Sequence, residues 1–318
     1  MSVTRHDVLA AREIIAGRVH RTPVFPSTTL GDRIGGRAFL KAELFQKTGS
    51  FKPRGVLTKL ASLSPEEKER GVVTWSAGNH AQAVGWAATS QGIDCLVVMS
   101  AGANPRKVAA TRGYGATVDL EAPDHAAAHE RLLRLIEETG RTYVPPYDDP
   151  HVIAGQGTVG LEIAEDVPDA DLLVVPIGGG GLIAGIATAV DTRIVGVEPE
   201  RSAAFSAGLA AGRSVHIDPQ PTTADGLAPP FAGDLNLAIG RERIEDVVLL
   251  TEEEIAAGMR FLYSRAKLAC EPSGAAATAA LLAGKIPVEP GSTVVAVVSG
   301  GNADPKVASA ILDASDES

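Results

Sequence analysis

Only two of the 318 residues are cysteines, Cys95 and Cys270. That number excludes a disulfide framework and a zinc site built from four thiolates, and it fits a reduced, cytoplasmic setting. Positive charge is also in short supply. The chain has 29 lysines and arginines against 39 aspartates and glutamates, a formal charge of −10. The basic face that a duplex-binding protein needs is missing, so nucleic acid is not expected as a partner. The N-terminal Met1-Ser-Val-Thr-Arg-His-Asp7 is charged and has no apolar core of about 7–15 residues, so no secretory signal is visible. Long uncharged runs are equally scarce. One run, residues 172–190, approaches the length of a bilayer span, but it contains Pro176 and five glycines, which in lipid would expose unpartnered backbone. It reads better as a buried strand, a glycine loop and a helix start, and no membrane partner is expected. No internal repeat or low-complexity segment interrupts the chain.

What is present is an ordinary globular composition, 45% hydrophobic and 21% charged, over a length that suits two domains. Short apolar, β-branched runs at 72–75, 95–99, 172–175, 194–197 and 294–298 lack polar alternation. Such runs suit strands covered on both faces of a parallel sheet. Helical patterns at 80–90, 105–113, 125–138, 182–190 and 252–265 lie between and beyond them, the last opening on a capping box of Thr251 and Glu254. The class is α/β. Tyr143-Val-Pro-Pro-Tyr-Asp-Asp-Pro150 reads as a crossover between domains, and residues 219–230 read as a long loop. The piece up to Gly55 shows no strand–helix rhythm of its own and is expected to pack with the C-terminal half. Residues 1–55 and 148–318 would then form a discontinuous larger domain, with 56–147 inserted as a smaller one.

Four glycine-marked segments carry the chemistry, and three directly follow a candidate strand, where the loops of open α/β sheets converge on ligands. In Thr48-Gly-Ser-Phe-Lys-Pro-Arg-Gly55, Pro53 at a first helical position would hold Lys52 extended, just outside the helix. A lysine beside an aromatic ring and a helix start is a candidate amine of depressed pKa, suited to Schiff-base chemistry; a solvated surface lysine is the ordinary alternative. Ser76-Ala-Gly-Asn-His80 places backbone N–H groups at a helix N-terminus, either as an anion site or as a plain cap. Val175-Pro-Ile-Gly-Gly-Gly-Gly-Leu182 reads as an anion cradle. Its four successive glycines are hard to explain as packing, and close approach to a phosphate would explain them. Val298-Ser-Gly-Gly-Asn302 offers the Ser299 hydroxyl, either to a ligand's ring or to a turn.

The third segment also admits a rival. Gly179, Gly181 and Ala184 fit the loose dinucleotide fingerprint, and Glu198 stands 19 residues after Gly179 at a strand end. On spacing alone, an NAD-dependent oxidoreductase is open.

Taken in order, Gly49-Ser-Phe-Lys-Pro-Arg-Gly55, Ser76-Ala-Gly-Asn-His-Ala-Gln82, Gly178-Gly-Gly-Gly-Leu182 and Ser299-Gly-Gly-Asn302 resemble the fold-type II pyridoxal-phosphate enzymes. The nearest likeness is to the serine/threonine dehydratase and serine racemase family, and it extends to Val152-Ile-Ala-Gly-Gln-Gly-Thr158 and Ala224-Asp-Gly-Leu227. The resemblance implies two open, mostly parallel sheets flanked by helices, as in the tryptophan synthase β-subunit, with the smaller domain closing over the substrate. It implies pyridoxal 5'-phosphate bound covalently at Lys52, with Asn79 on the ring hydroxyl and Ser299 facing the pyridine nitrogen. Gly178, Gly179, Gly180, Gly181 and Leu182 would take the phosphate, and Ser76, Ala77, Gly78, Asn79 and His80 would grip the substrate carboxylate. The implied reaction removes the β-hydroxyl of L-threonine or L-serine, giving a 2-oxo acid and ammonia, in a cytoplasmic homodimer.

Departures within the family narrow this. Racemases of the group carry a second serine in the asparagine loop as the proton donor on the opposite face; here that position is Ala77, as in threonine dehydratases. Dehydration of another β-hydroxy amino acid, such as 3-hydroxyaspartate, and serine racemisation are the alternatives. Cysteine synthases have Asp-Arg after the lysine, where this chain has Pro53-Arg54. The divalent-cation ligands of racemase-like members map to Glu198, Ser202 and Ala204. Ala204 supplies no carboxylate, which leaves Glu198 as the lone candidate and a monovalent ion as another occupant. The chain stops soon after Asn302, so feedback control through an added C-terminal domain is not expected.

Overall fold

The computed structural model describes residues 2–314. Ten strands lie in two sheets: β1 (Val24–Pro26), β2 (Arg37–Ala42), β3 (Val72–Trp75), β4 (Cys95–Ser100), β5 (Thr117–Ala122), β6 (Thr142–Tyr143), β7 (Leu172–Pro176), β8 (Arg193–Pro199), β9 (Asp246–Leu250) and β10 (Thr293–Val298). The six-stranded sheet runs β1-β2-β10-β7-β8-β9, and the four-stranded sheet runs β5-β4-β3-β6. Every pairing is parallel except β1 with β2.

The apolar runs read from the sequence are strands with two covered faces. Along β10, Val294, Ala296 and Val298 meet the helix Pro272–Leu282, while Val295 and Val297 meet residues of the helices Pro150–Asp166 and Gly181–Ala189. No position on such a strand faces water, so no polar alternation survives. The smaller sheet is built the same way. Val72, Cys95, Val97 and Met99 pack on the helix Asn79–Thr89, and Val73, Val98 and Ala122 pack on His125–Thr139. The helix Lys52–Ala61 joins the two units. Its Val56, Leu57 and Leu60 belong to the core of the smaller sheet, while Gly155 of Pro150–Asp166 approaches so closely that a Cβ there would lie 2.6 Å from the Gly55 Cα.

The N-terminal piece does have a rhythm that the sequence pattern hid: a helix (Arg5–Ile15), β1, a helix (Thr28–Ile34) and β2. It packs with the C-terminal half because β2 lies in register beside β10, Arg37 opposite Thr293 through Ala42 opposite Val298. Strand β2 reads Arg-Ala-Phe-Leu-Lys-Ala, with charges at both ends, yet Lys41 is fully buried because its amine donates to Glu162 at 2.6 Å and to the Thr22 carbonyl at 2.8 Å. The expected helices at 105–113 and 125–138 match Pro105–Gly113 and His125–Thr139 closely. The capping box at Thr251 is formed, but the helix Glu252–Phe261 stops short of 265 and ends in a π turn, Leu262–Ala266, with Lys267 left-handed at φ 60°. Among the described residues no helix is long and apolar enough to cross a membrane; residues 172–190 are β7, a glycine loop and Gly181–Ala189.

Candidate active site

Two of the glycine-marked segments are tied side by side. The Phe51 N–H donates to the Ser299 carbonyl at 3.2 Å, and the Gly301 N–H to the Gly49 carbonyl at 2.9 Å. Ser50 bridges Gly300 in antiparallel fashion, and the Asn302 amide donates to the Thr48 carbonyl at 2.7 Å. The segment leading to Lys52 is therefore anchored on the end of β10. Lys52 itself is the first residue of the helix Lys52–Ala61, not an extended residue outside it, because Phe51 already has helical angles (φ −60°, ψ −19°). Pro53 falls in the first turn, where its missing N–H costs no helical bond. The Lys52 amine lies 5.1 Å from the centre of the Phe51 ring and donates to the Pro146 carbonyl at 2.7 Å. Burial pushes its pKa down to about 8.

The loop Gly178 to Leu182 runs from β7 into the helix Gly181–Ala189. Its glycines have a packing reason as well as an open one. A Cβ on Gly179 would fall within 2.4 Å of the Tyr147 ring, one on Gly180 2.6 Å from the Phe205 ring, and one on Gly181 3.0 Å from the Tyr147 side chain; Gly180 also has φ +96°. The expectation that the glycines are hard to explain as packing is corrected for Gly179, Gly180 and Gly181: Tyr147 and Phe205 occupy the space that their side chains would need. Among the described residues, the N–H groups of Gly178, Gly179, Gly180 and Gly181 donate to no protein acceptor. Free N–H groups at a helix N-terminus suit a phosphate.

Across the cleft, Gly78 caps the helix Asn79–Thr89, and its N–H donates to the Ser76 hydroxyl at 3.2 Å. The Asn79 amide is held on both sides, donating to Glu271 at 2.6 Å and accepting from Asn302 at 2.8 Å. His80 is 3% exposed and its Nε2 lies 2.9 Å from the Val144 carbonyl. Burial, with the nearby Lys52 charge, drives its pKa down to about 3, so the ring is neutral and its Nε2 is engaged with backbone. Ser299 is 4% exposed, and its hydroxyl has no protein partner among the described residues.

One cavity of about 280 Å³ gathers all of these: Lys52, Ser76 to His80, Gly178 to Leu182 and Ser299 line it together. Covalent capture at a depressed amine, a phosphate cradle and a free hydroxyl are the donor set that pyridoxal phosphate needs. A profile of the pyridoxal-phosphate dependent enzymes matches residues 15–300. The chain belongs to that family. It is 44% identical over 311 residues to the L-threonine dehydratase catabolic TdcB of Escherichia coli K12, covering 96% of this chain and 94% of that protein. It is 43% identical over 316 residues to an L-threonine ammonia-lyase of Thermotoga maritima, covering 98% and 78%. The structure of maize serine racemase superposes with a TM-score of 0.92 at 36% identity, covering 96% of this chain and 95% of that one.

For a pyridoxal-phosphate enzyme, the rival dinucleotide fingerprint is a coincidence of glycines, and its acidic residue is already engaged. Glu198 is fully buried, and its carboxylate accepts from the Phe205 N–H (2.8 Å), the Ser206 N–H (2.9 Å) and the Ser206 hydroxyl (2.6 Å) at the start of the helix Ala204–Ala211. It has no reach left for a ribose. Burial outweighs these donors and raises its pKa to about 7. The same bonds occupy the candidate cation ligand, and Ala204 is the first residue of that helix. Among the described residues no group of three or more His, Cys, Asp or Glu could hold a metal ion.

Several positions that line the cavity were not singled out from the sequence. Glu271, 7% exposed, lines the cavity and has its pKa raised by burial to about 7, against the opposing effect of its bond from Asn79. Asn302 closes the Ser-Gly-Gly-Asn motif but was not separated from it. Lys107 and Asp225 pair at the cavity wall, one from the helix Pro105–Gly113 and the other from the loop 219–230. Glu271-Pro-Ser-Gly274 held a usable signal: Pro272 opens a helix, and a Cβ on Gly274 would fall 2.3 Å from the Gly300 carbonyl.

Proposed function

We propose that this chain is a threonine and serine dehydratase, converting L-threonine to 2-oxobutanoate, or L-serine to pyruvate, with release of ammonia. The observation that carries the reading is the convergence of Lys52, the asparagine loop, the glycine cradle and Ser299 on one cavity. The threonine-deaminating names of the two relatives support it. When bound, pyridoxal phosphate supplies the electron sink that lets the substrate's α-proton leave. Lys52, Asn79, the N–H groups of Gly178 to Leu182 and Ser299 would hold it.

The chain's own residues do the rest. With a pKa near 8, Lys52 is neutral in a substantial fraction of molecules near pH 7.5 and can accept that proton as a general base. The Pro146 carbonyl then gives the resulting ammonium a partner. The backbone of Ser76 to Asn79, at a helix N-terminus, takes the substrate carboxylate. Ala77 holds no proton to return on the opposite face, which favours loss of the β-hydroxyl as water over racemisation. The enamine so formed takes the water back on hydrolysis and yields the 2-oxo acid and ammonia. Residues 56–147 act as the smaller domain, closing over substrate where Lys107 meets Asp225, against a larger domain of 1–55 and 148–318. The working form is a cytoplasmic homodimer.

The test is direct. Purified protein should absorb in the visible from the lysine-bound cofactor and release 2-oxo acid and ammonia from L-threonine and L-serine. Tight binding of NAD without a chromophore, or turnover confined to 3-hydroxyaspartate, would overturn the assignment.

A further inference from the structure

Amide side chains present a donor at one end and an acceptor at the other, and only a neighbour of fixed character decides which end goes where. At Asn79 that decision is made at some distance. The Nδ2 of Asn302 donates twice, to the Thr48 carbonyl at 2.7 Å and to the Asn79 Oδ1 at 2.8 Å. A backbone carbonyl can only accept. The atom of Asn302 that faces Thr48 must therefore be its nitrogen, and the atom of Asn79 that meets the same nitrogen must be its oxygen. The Asn79 nitrogen is left to face Glu271, where one N–H donates at 2.6 Å. Its second N–H has no protein acceptor among the described residues, and Asn79 lines the cavity.

The starting point of this relay is held in an unusual way. Thr48 is buried and, among the described residues, one of two non-glycine residues with left-handed backbone, φ 59°. Its hydroxyl is buried without a partner, so neither side chain nor intrinsic preference explains the conformation. Gly49 follows at φ 75°, and a Cβ there would lie 2.5 Å from the Asn302 Oδ1. Two left-handed residues in succession turn the Thr48 carbonyl onto Asn302, and the missing side chain of Gly49 makes room for it.

We infer that Asn302 is a positioning residue that passes the acceptor character of the Thr48 carbonyl to Asn79 and locks the Asn79 amide with its nitrogen toward Glu271, leaving one N–H for the cavity. The group that the second Asn79 N–H meets there must be a hydrogen-bond acceptor. This last step rests on the reading that the cavity holds pyridoxal phosphate; the orientation of the amide does not. The lock is indifferent to the charge of Glu271, because the Glu271 Oε1 accepts from Asn79 whether or not the other oxygen carries a proton.

Asn302→Asp keeps the shape and removes both donors, setting an acceptor against the Thr48 carbonyl and the Asn79 oxygen. It should raise the Kd for pyridoxal phosphate by about 10- to 100-fold, the value of a hydrogen bond to a charged group, and shift the visible band. Asn302→Ala frees the Asn79 amide without opposing it and should fall between wild type and Asn302→Asp. Wild-type affinity and spectrum in Asn302→Asp would overturn the relay, and so would a greater loss in Asn302→Ala, which would assign the effect to packing. Should Asn302→Asp fail to fold, neutron diffraction from deuterated wild-type crystals reads the orientation directly. Deuterons on the Asn79 atom facing Glu271 support the lock, and deuterons on the atom facing Asn302 overturn it. A wild-type protein that takes up no pyridoxal phosphate would refute the proposed function while leaving the diffraction result to judge the relay.

Discussion

The amine of Lys52 donates to the carbonyl of Pro146 at 2.7 Å, joining the first residue of a helix to a crossover 94 residues further along the chain. Among the described residues no carboxylate shares that amine, and burial lowers its pKa to about 8. The folded protein thus binds fewer protons at this site than the unfolded chain between pH 8 and 10.5, and its stability rises with pH across that window. Capture of pyridoxal phosphate needs the neutral amine. The rate of cofactor uptake by the cofactor-free protein should climb with a midpoint near pH 8, followed by the growth of the visible band, and should be abolished in Lys52→Ala. A midpoint above pH 10 would mean that the amine is solvated and that its contact with Pro146 is not formed in solution.

Ala77 lines the cavity beside Ser76, and its methyl can neither give nor take a proton. L-Serine should therefore yield pyruvate and ammonia with little D-serine. Ala77→Ser places a hydroxyl in the cavity, at the position where the resemblance puts the proton donor of racemases, and should raise the ratio of D-serine to pyruvate, read by chiral chromatography. Maize serine racemase shares the fold at 36% identity, so the fold alone does not separate elimination from racemisation. Wild-type racemisation outpacing elimination would show that another residue supplies the proton.

Much of the architecture was legible where local pattern and tertiary environment agree. Strands such as β7 and β10 are covered on both faces, and their apolar runs say so directly. Strand β2 was hidden because its Lys41 is buried through partners that come from residues 22 and 162. No local pattern announces a charge neutralised from 121 residues away. Within the site, Lys52 and the glycine loop stood out because proline and glycine restrict the backbone in ways the sequence displays. Glu271 and Asn302 did not, because their roles arise from the side chains they meet across the cleft, and a carboxylate or an amide has no preference that foretells its partner. The four glycines were visible, but the packing reason for three of them, Tyr147 and Phe205, lies outside the motif.

Two residues beyond Lys52, Arg54 is fully buried and donates to Glu43 at 2.8 and 2.9 Å, to Glu162 at 2.7 and 2.9 Å and to Thr158 at 3.1 Å. Although burial works against it, Glu43 and Glu162 hold its pKa above the usual value. Removing one member of such a cluster strands the others, at a cost of about 3–5 kcal/mol. Arg54→Met should lower stability by that order in urea unfolding. Arg54→Lys should recover only part of it, because an ammonium cannot reproduce the fork that spans two carboxylates. A loss below about 1 kcal/mol for Arg54→Met would show that water enters the cluster and that the helix bearing Lys52 is not anchored through it.

Ser299 directly follows β10 and lines the cavity with a hydroxyl that has no protein partner among the described residues, while its carbonyl accepts from Phe51. A hydroxyl used only for a turn would bond to nearby backbone, and this one does not. If it faces the ring nitrogen of pyridoxal phosphate, Ser299→Ala should keep the fold and weaken cofactor retention by about the net value of one hydrogen bond, ~0.5–1.5 kcal/mol. The carbonyl to Phe51 is untouched by that change, so thermal unfolding of the cofactor-free protein should stay close to wild type. Ser299→Asp sets a carboxylate against the nitrogen and should favour its protonation, which strengthens the electron sink and shifts product partition from elimination toward return of the proton. The two variants are separated by titrating the visible spectrum and by weighing 2-oxo acid against recovered amino acid after exchange in deuterated water. Wild-type spectra and product ratios in both would remove Ser299 from the cofactor's surroundings and return it to the backbone.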